Sequence, residues 1–245
     1  MSSDTHLIIK TGMKAYITIA LAGLFTLASC SGEGVPPMQE PDAKGIYTDP
    51  RDGESYTWVQ YGNTQWMTQN FRYDTGIYDE CRIYIDPEEW DQYADYSTFS
   101  HSDVPKYGMY YTLEGALKAC PEGWRLPTEE DWEQLERRFG MTDEEAEAGE
   151  WRGSIAPNMI QTKDHDTPLA ILLAGYVTLH TQSFLVDGSS YKGAYGYYWT
   201  STKDDSKPGS YYFYRKFAYN RKGIYRQSLE STNLYLSVLY VRDAE

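Results

Sequence analysis

The sequence has few of the residues that build most active sites. Its 245 residues include four histidines and three cysteines. It lacks the C-x-x-C, H-E-x-x-H and G-x-S-x-G strings and a phosphate-binding glycine loop, which place catalytic groups at fixed spacings. His165 lies between Asp164 and Asp166, but a single loop histidine of this kind is typically exposed rather than a metal ligand. The sequence therefore predicts no familiar enzyme and no cofactor.

Positive charge is also scarce. The chain has 22 Lys and Arg against 36 Asp and Glu, a formal net charge of −14. Removing residues 1–29, which carry a net +1 from Asp4, Lys10 and Lys14, would leave −15. Nucleic acids and anionic lipid headgroups attract basic surfaces, so neither is expected as a partner. Cations, basic proteins and neutral sugars remain compatible.

Long apolar runs are absent as well. The run 15–27 has 13 residues, whereas a membrane-spanning helix needs about 20. Preceded by Lys14, it has the length and flanking charge of a secretory signal. We predict that residues 1–29 are a signal peptide, with Met13 as an alternative start.

The signal ends in Leu27-Ala28-Ser29-Cys30, which resembles a bacterial lipobox. The resemblance implies a lipoprotein whose Cys30 carries diacylglycerol and palmitate. Ser31 follows the cysteine in place of the aspartate that favours inner-membrane retention, so the expected location is the outer membrane or cell surface. The alternative is an ordinary secretory signal with Cys30 incidental.

Residues 30–44 are predicted to be the lipidated cysteine and a flexible tether. The segment after Cys30 has three prolines, two glycines and no periodicity. Fully extended, it would reach about 45 Å and hold the domain clear of the membrane. Residues 45–243 have the length of one domain and no internal repeat.

Two short helices with a turn between them are predicted near the middle of the chain. Residues 113–120 carry apolar side chains at helical spacing, with Thr112 as N-cap. Thr128 is the expected N-cap of the second helix, acidic residues fill its first turn and Gly140 suits its C′ position. Thr142 and Glu145 predict a further short acidic helix.

Strands are predicted on both sides of these helices. Alternating residues bounded by turn signals predict strands at 45–48, 55–61, 65–67, 211–219, 224–229 and 235–242. The apolar run 169–177 is expected to be a buried strand or core segment. Asn70 is expected to tie down neighbouring backbone. The fold class is α+β: two short helices packed on twisted antiparallel sheets.

Several strings in this order resemble the Fibrobacter succinogenes major paralogous domain family. They are Tyr111, Ala116, Cys120-Pro121, Gly123-Trp124, Leu126-Pro127-Thr128, Trp132 and Leu135, with Gly62-Asn63, Gln65-Trp66-Met67, Asn70, 193–202, Ser237-Val238 and Val241-Arg242-Asp243. The family resembles the C-type-lectin-like fold, and its biochemical role is poorly defined. The resemblance therefore implies an architecture more than an activity.

One departure from the family affects the cysteines. The family often has a cysteine in its last strand, which the lectin fold bridges to the first helix, and this chain has Tyr240 there. Cys81 is then the remaining candidate partner for Cys120, and we predict a Cys81–Cys120 disulfide. The alternative is two buried free thiols.

Calcium binding is not implied. The calcium-dependent lectins use E-P-N or Q-P-D and W-N-D strings, and this chain has Ala156-Pro157-Asn158 and Trp199-Thr200-Ser201 instead. The acidic stretch 73–106 matches no EF-hand loop. We interpret it as a solvated insertion, with a calcium site as the alternative.

Aromatic residues are the main excess, with 24 Tyr and 7 Trp. Amphipathic rings on a sheet face suit stacking on sugars or burial against a protein. The candidate ligand-binding residues are Tyr197, Trp199, Tyr211, Tyr212 and Tyr214. The alternative is that these rings fill the core.

Three functions stay open. The first is a non-catalytic surface-anchored binding or adhesion module for an extracellular glycan or surface protein. The second is a structural envelope protein without a soluble ligand. The third is an enzyme with an unrecognised site.

Overall fold

Short antiparallel strands form most of the domain. A computed structural model describes residues 34–77, 79–83, 104–178, 191–232 and 234–244. The strands are β1 (Ala43–Thr48), β2 (Ser55–Tyr61), β3 (Thr64–Met67), β4 (Cys81–Arg82), β5 (Tyr110–Tyr111), β6 (Glu150–Arg152), β7 (Val177–Thr178), β8 (Tyr195–Lys203), β9 (Tyr211–Ala218), β10 (Ile224–Glu230), β11 (Leu234–Tyr235) and β12 (Val241–Asp243). The helices are α1 (Val104–Tyr107), α2 (Leu113–Ala119), α3 (Glu129–Arg138), α4 (Asp143–Glu147) and a 3₁₀ helix at Ala156–Asn158.

The first sheet joins the two ends of the domain. Its strand order is β1-β2-β3-β12, and Val241 of β12 lies opposite Trp66 of β3. The three predicted N-terminal strands are confirmed, and they pair in chain order as an antiparallel meander. Trp66 packs edge-on against Trp132 of α3, with ring centroids 4.8 Å apart.

The second sheet has the order β6-β10-β9-β8. The predicted pairing of β9 with β10 is confirmed, with Tyr225 opposite Lys216. Alternate residues of β9 point to opposite sides: Arg215 and Phe217 are fully buried and face α3. The side chains of Tyr214 and Lys216 lie on the other side of the sheet.

Both predicted central helices are confirmed, together with their caps. The Thr112 hydroxyl accepts from the Gly115 amide at the start of α2. Thr128 and Asp131 form a reciprocal capping box at the start of α3. Gly140 follows α3 with φ of +111°, a conformation that favours glycine.

Helix α3 is joined to the second sheet by buried ion pairs that sequence reasoning did not anticipate. Arg215 donates to Glu129 at 2.5 Å and to Glu136 at 2.7 Å. Arg152 reaches the other oxygen of Glu136 at 2.6 Å. Glu136 and Arg215 are fully buried, so these charges depend on one another for solvation.

The predicted tether is wrong for residues 34–44. From Gly34, where the described residues begin, the segment lies along the domain. Pro36 O accepts from Asn158 Nδ2 at 2.6 Å, and Asp42 pairs with Arg138 at 3.0 Å. The prolines of this segment therefore belong to a stretch that packs on the domain and not to a free tether. Residues 1–33, including Cys30 and the signal peptide, lie outside the described residues.

The last predicted strand is divided between two sheets. β11 pairs with β7, and β12 pairs with β3, while the residues between them are buried. The apolar run 169–177 is a core segment, since it pairs through single bridges such as Gly175 with Gly196 before β7 begins. The alternation in the sequence gives no sign that the predicted strand 235–242 is divided. The division depends on pairing with strands that are distant in the sequence.

The predicted disulfide is wrong: Cys81 and Cys120 are both free thiols. Cys81 in β4 is paired with Tyr111, and Tyr111 lies just before the start of α2. Cys120 is the C-cap at the other end of α2. Seven helical residues at 1.5 Å rise separate these positions by about 10 Å, beyond the span of a disulfide. The Cys120 thiol donates instead to Trp124 O at 3.1 Å.

Candidate functional site

A row of four side chains crosses the outer side of the second sheet. Trp151 of β6 lies opposite Tyr225 of β10, Tyr225 lies opposite Lys216 of β9, and Lys216 lies opposite Tyr197 of β8. Directly opposed residues point to the same side of a sheet. The row therefore places a lysine between aromatic rings on the side away from α3.

Further rings extend this row into a continuous surface. The Tyr197 ring stacks on Tyr214 with centroids 6.1 Å apart and meets Tyr176 edge-on at 5.1 Å. Tyr191 bridges Tyr176 at 5.4 Å and Tyr195 at 5.5 Å. All of these rings are partly exposed. We call this surface the tyrosine face, and it consists of Trp151, Tyr176, Tyr191, Tyr195, Tyr197, Tyr214, Tyr225 and Lys216.

The Lys216 ammonium lies among the rings. Its Nζ is 4.4 Å from the Tyr195 centroid, 5.3 Å from Tyr197 and 5.6 Å from Tyr225. These are cation–π distances. Burial lowers the pKa of Lys216, and no salt bridge pairs it with a carboxylate of the described chain. The rings thus provide much of its local electrostatic stabilisation.

Two phenols of the face, those of Tyr197 and Tyr214, stay protonated at physiological pH because burial raises their pKa. Burial raises the pKa of Tyr214 to about 12, and burial likewise raises the pKa of Tyr197. A protonated phenol both donates and accepts hydrogen bonds. The surface therefore combines flat apolar rings with neutral hydroxyls and one cation.

The structure divides the predicted site residues. Tyr197 and Tyr214 lie in the tyrosine face. Tyr211 and Tyr212 are partly exposed at the far end of β9, where Tyr212 lies opposite Lys203 and Leu229. No ring contact within the described chain connects these two to the face.

The prediction that Trp199 contacts a ligand is wrong. Its side chain is fully buried, and its Nε1 donates to Tyr111 O at 2.8 Å. An indole whose N–H is already satisfied in the core is a packing residue. The core interpretation therefore holds for Trp199.

Six members of the face were not predicted: Trp151, Tyr176, Tyr191, Tyr195, Lys216 and Tyr225. The hairpin register could have found two of them, since the strand alternation already put Lys216 on the side of Tyr214. Pairing β9 with β10 then brings Tyr225 beside it. Trp151 carried no local signal, because β6 has three residues and joins the sheet only through β10.

A serine with a neighbouring lysine and aspartate lies near the loop between β8 and β9. Lys207 Nζ is 2.8 Å from Ser228 Oγ, and Ser228 donates to Asp204. Hydrogen bonds from Ser206 and Ser228 lower the pKa of Asp204. Lys207 Nζ also lies 3.8 Å from that carboxylate, so the lysine, the serine and the aspartate bind one another, and we interpret the group as a structural contact that holds the loop.

Metal-ligand side chains are not gathered in the described chain: it contains no group of three or more His, Cys, Asp or Glu able to hold a metal ion. Asp164 and Asp166 are exposed on either side of His165. Most of the acidic stretch that was weighed as a calcium site, 84–103, lies outside the described residues. No described helix is long and apolar enough to span a bilayer.

Antiparallel sheets with a few short helices define an α+β domain. The chain belongs to a family that the sequence motifs had indicated: the Fibrobacter succinogenes major domain matches residues 59–242. No curated protein and no solved structure matches the chain.

Proposed function

We propose that the protein is a non-catalytic binding module in which the tyrosine face recognises an extracellular glycan. The observation that carries the proposal is the continuous set of partly exposed rings on one side of the second sheet. Such a surface is uncommon on a protein that has no partner for it. Its hydroxyls and its single ammonium suit the hydroxyl groups of a sugar.

The opposite side of the sheet supports this role by fixing the strands. Arg215 and Phe217 are buried against α3, so alternate residues of the same strands present the rings outward. A face on regular strands is pre-organised and loses little entropy on binding. Each well-placed ring pair adds about 0.5–1.5 kcal/mol beyond buried area, so micromolar or weaker affinity is expected.

The proposal includes a lipid anchor at Cys30 and location in the outer membrane or at the cell surface. Its support is the apolar run and the lipobox-like string, together with Ser31. Gly34, whose O accepts from Ser154 Oγ, lies four positions after Cys30 in the sequence. At about 3.5 Å per residue, the docked segment lies within about 14 Å of the anchor along the chain.

The proposed finer fold is C-type-lectin-like. Two features support it: β12 pairs with β3, so the chain ends meet in one sheet, and Tyr240 donates to Ala116 O in α2. The second contact joins the same two elements that the family's cysteine bridge is expected to join. A hydrogen bond here takes the place of a covalent link.

The experiment is an oligosaccharide array probed with the purified full chain in detergent. We expect binding to neutral oligosaccharides, with a large loss for Tyr195→Ala. Tyr211→Ala is the matched control, because Tyr211 is partly exposed at the far end of β9 and belongs neither to the face nor to its surroundings. Absence of binding to every glycan would contradict the proposal and would favour the structural-protein alternative.

A further inference from the structure

A cleft of about 610 Å³ opens next to the tyrosine face. Ile160, Leu172 and Leu173 form its apolar floor. Its other walls come from α1, from the residues after the 3₁₀ helix and from the end of β9. This volume suits one or two sugar residues or a similar small group.

The charged side chains that line the cleft are all basic. They are Lys106, Lys163 and Arg221, with His165 beside them. Among the residues that the structure describes, no carboxylate lines the cleft, although the chain as a whole carries −14. Neither Lys163 nor Arg221 forms a salt bridge with a described carboxylate. A basic concavity on an acidic protein concentrates a positive potential that favours an anion.

The two described acids beside His165 in the chain are directed elsewhere or remain in solvent. Asp166 accepts from Gln161 Nε2 at 2.5 Å, and Asp164 is exposed. Lys106 lies 4.6 Å from the Tyr107 ring, at the edge of the cleft. The positive potential of the cleft is therefore only partly offset within the described chain.

The cleft and the tyrosine face are continuous. The Arg221 guanidinium lies 5.5 Å from the Trp151 ring and also lines the cleft. Ala218, another lining residue, is opposite Tyr195 in the sheet. Gly193 lines the cleft between Tyr191 and Tyr195 in the chain. One extended ligand can therefore contact both surfaces.

We propose that the cleft binds the carboxylate of a uronic-acid residue in a glycan whose neighbouring residues stack on the tyrosine face. This inference rests on the proposed function and adds the ligand's charge to it. Arg221 supplies a planar fork that matches a carboxylate, and Lys163 supplies a second cation. The apolar floor accommodates the C–H face of the sugar ring.

The test compares a uronic-acid oligosaccharide with its carboxyl-reduced, neutral counterpart on the full chain in detergent. We expect the acidic form to bind about tenfold more tightly, as for one charge-assisted contact. Added salt should shrink this ratio, since exposed charges are screened. Free glucuronate is the third probe, and it should bind far more weakly because it cannot reach the rings.

The variants are Lys163→Gln and Arg221→Gln, with Lys203→Gln as a control that removes the same charge from the exposed end of β8. The first two should reduce the ratio towards one, and the control should retain it. Equal binding of acidic and neutral forms would overturn the cleft assignment and leave the tyrosine face standing. If Lys203→Gln also removes the preference for the acidic form, the preference comes from net charge, and the cleft assignment is likewise overturned. If Tyr195→Ala still binds the acidic form unchanged, the assignment of carboxylate binding to the cleft stands, and the assignment of glycan stacking to the tyrosine face is refuted.

Discussion

Tyr240 links the end of the chain to helix α2. Its ring is fully buried, it packs edge-on against Phe71 with centroids 4.7 Å apart, and its hydroxyl donates to Ala116 O in α2. Burial raises the pKa of Tyr240 far above its usual value, so the donor proton is retained. The residue thereby fastens the last part of the chain to the first central helix.

Replacing Tyr240 by Phe should therefore lower the free energy of unfolding by about 1 kcal/mol, because one buried hydrogen bond is lost while the ring is kept. Urea unfolding followed by circular dichroism measures this change. Tyr219→Phe, at an exposed site, should leave the midpoint unchanged. Equal midpoints for Tyr240→Phe and the unmodified chain would show that this hydrogen bond contributes nothing.

Glu136 should be the most sensitive charge in the domain. Glu136→Gln leaves Arg152 and Arg215 buried with reduced compensation, and the expected loss is about 3 kcal/mol. The same urea experiment measures it, with the exposed Glu144→Gln as the control. A loss below about 0.5 kcal/mol, the range of ordinary surface changes, would contradict the importance of this ion cluster.

Helix α3 organises the elements around it. Its apolar stripe contacts the first sheet through Trp132, and its glutamates hold the second sheet through Arg215. Asp131 secures its start: burial acts to raise the pKa of this carboxyl, but hydrogen bonds from Arg125 and Thr128 outweigh burial and lower it. The carboxylate is thus stabilised in the folded state.

Acid should weaken the domain through this carboxylate. Because the folded pKa of Asp131 is lowered, its contribution is complete above about pH 5 and is lost as pH falls through the folded pKa. Melting temperatures of the unmodified chain and of Asp131→Asn should differ clearly at pH 7 and converge near pH 2. Glu130→Gln should show no such convergence. A constant gap for Asp131→Asn across this range would refute the assignment.

Local signals predicted the elements that local chemistry determines. Thr128, Asp131 and Gly140 specify the ends of α3 within the chain itself, and the turn residues after Tyr219 specify the β9–β10 hairpin. The split of the last strand and the addition of β6 depend on partners far away in sequence. No local pattern around Trp151 or Val241 distinguishes one sheet from the other.

The candidate site was only partly predictable for the same reason. The aromatic excess pointed to the C-terminal sheet, and Tyr197 and Tyr214 belong to the face. Strand alternation alone could not show that Trp199 turns into the core, because its partner Tyr111 lies in β5, far earlier in the chain. The cleft beside the face combines residues from five separated stretches of the chain, between Lys106 and Arg221.

At the scale of the whole molecule, the proposed anchor at Cys30 precedes the docked segment 34–44 by four positions in the sequence. Cys30→Ala should move the protein from the membrane fraction to the soluble fraction, because one lipidated residue supplies the attachment. Immunoblots of fractionated cells measure this shift, and Cys81→Ala is the matched control. Membrane retention of the Cys30 variant, together with the absence of a lipid mass on the N-terminal peptide of the unmodified protein, would contradict the anchor.

The most direct test of the central claim is calorimetric titration of the best array oligosaccharide into the full chain and into Tyr195→Ala/Tyr225→Ala. These rings flank Lys216 on two strands, so the double variant removes stacking area from the middle of the tyrosine face. We predict at least about tenfold weaker binding, equivalent to about 1.4 kcal/mol, with a melting temperature within about 3 °C of the unmodified chain. Unchanged affinity in the folded double variant would contradict the assignment of ligand binding to this face.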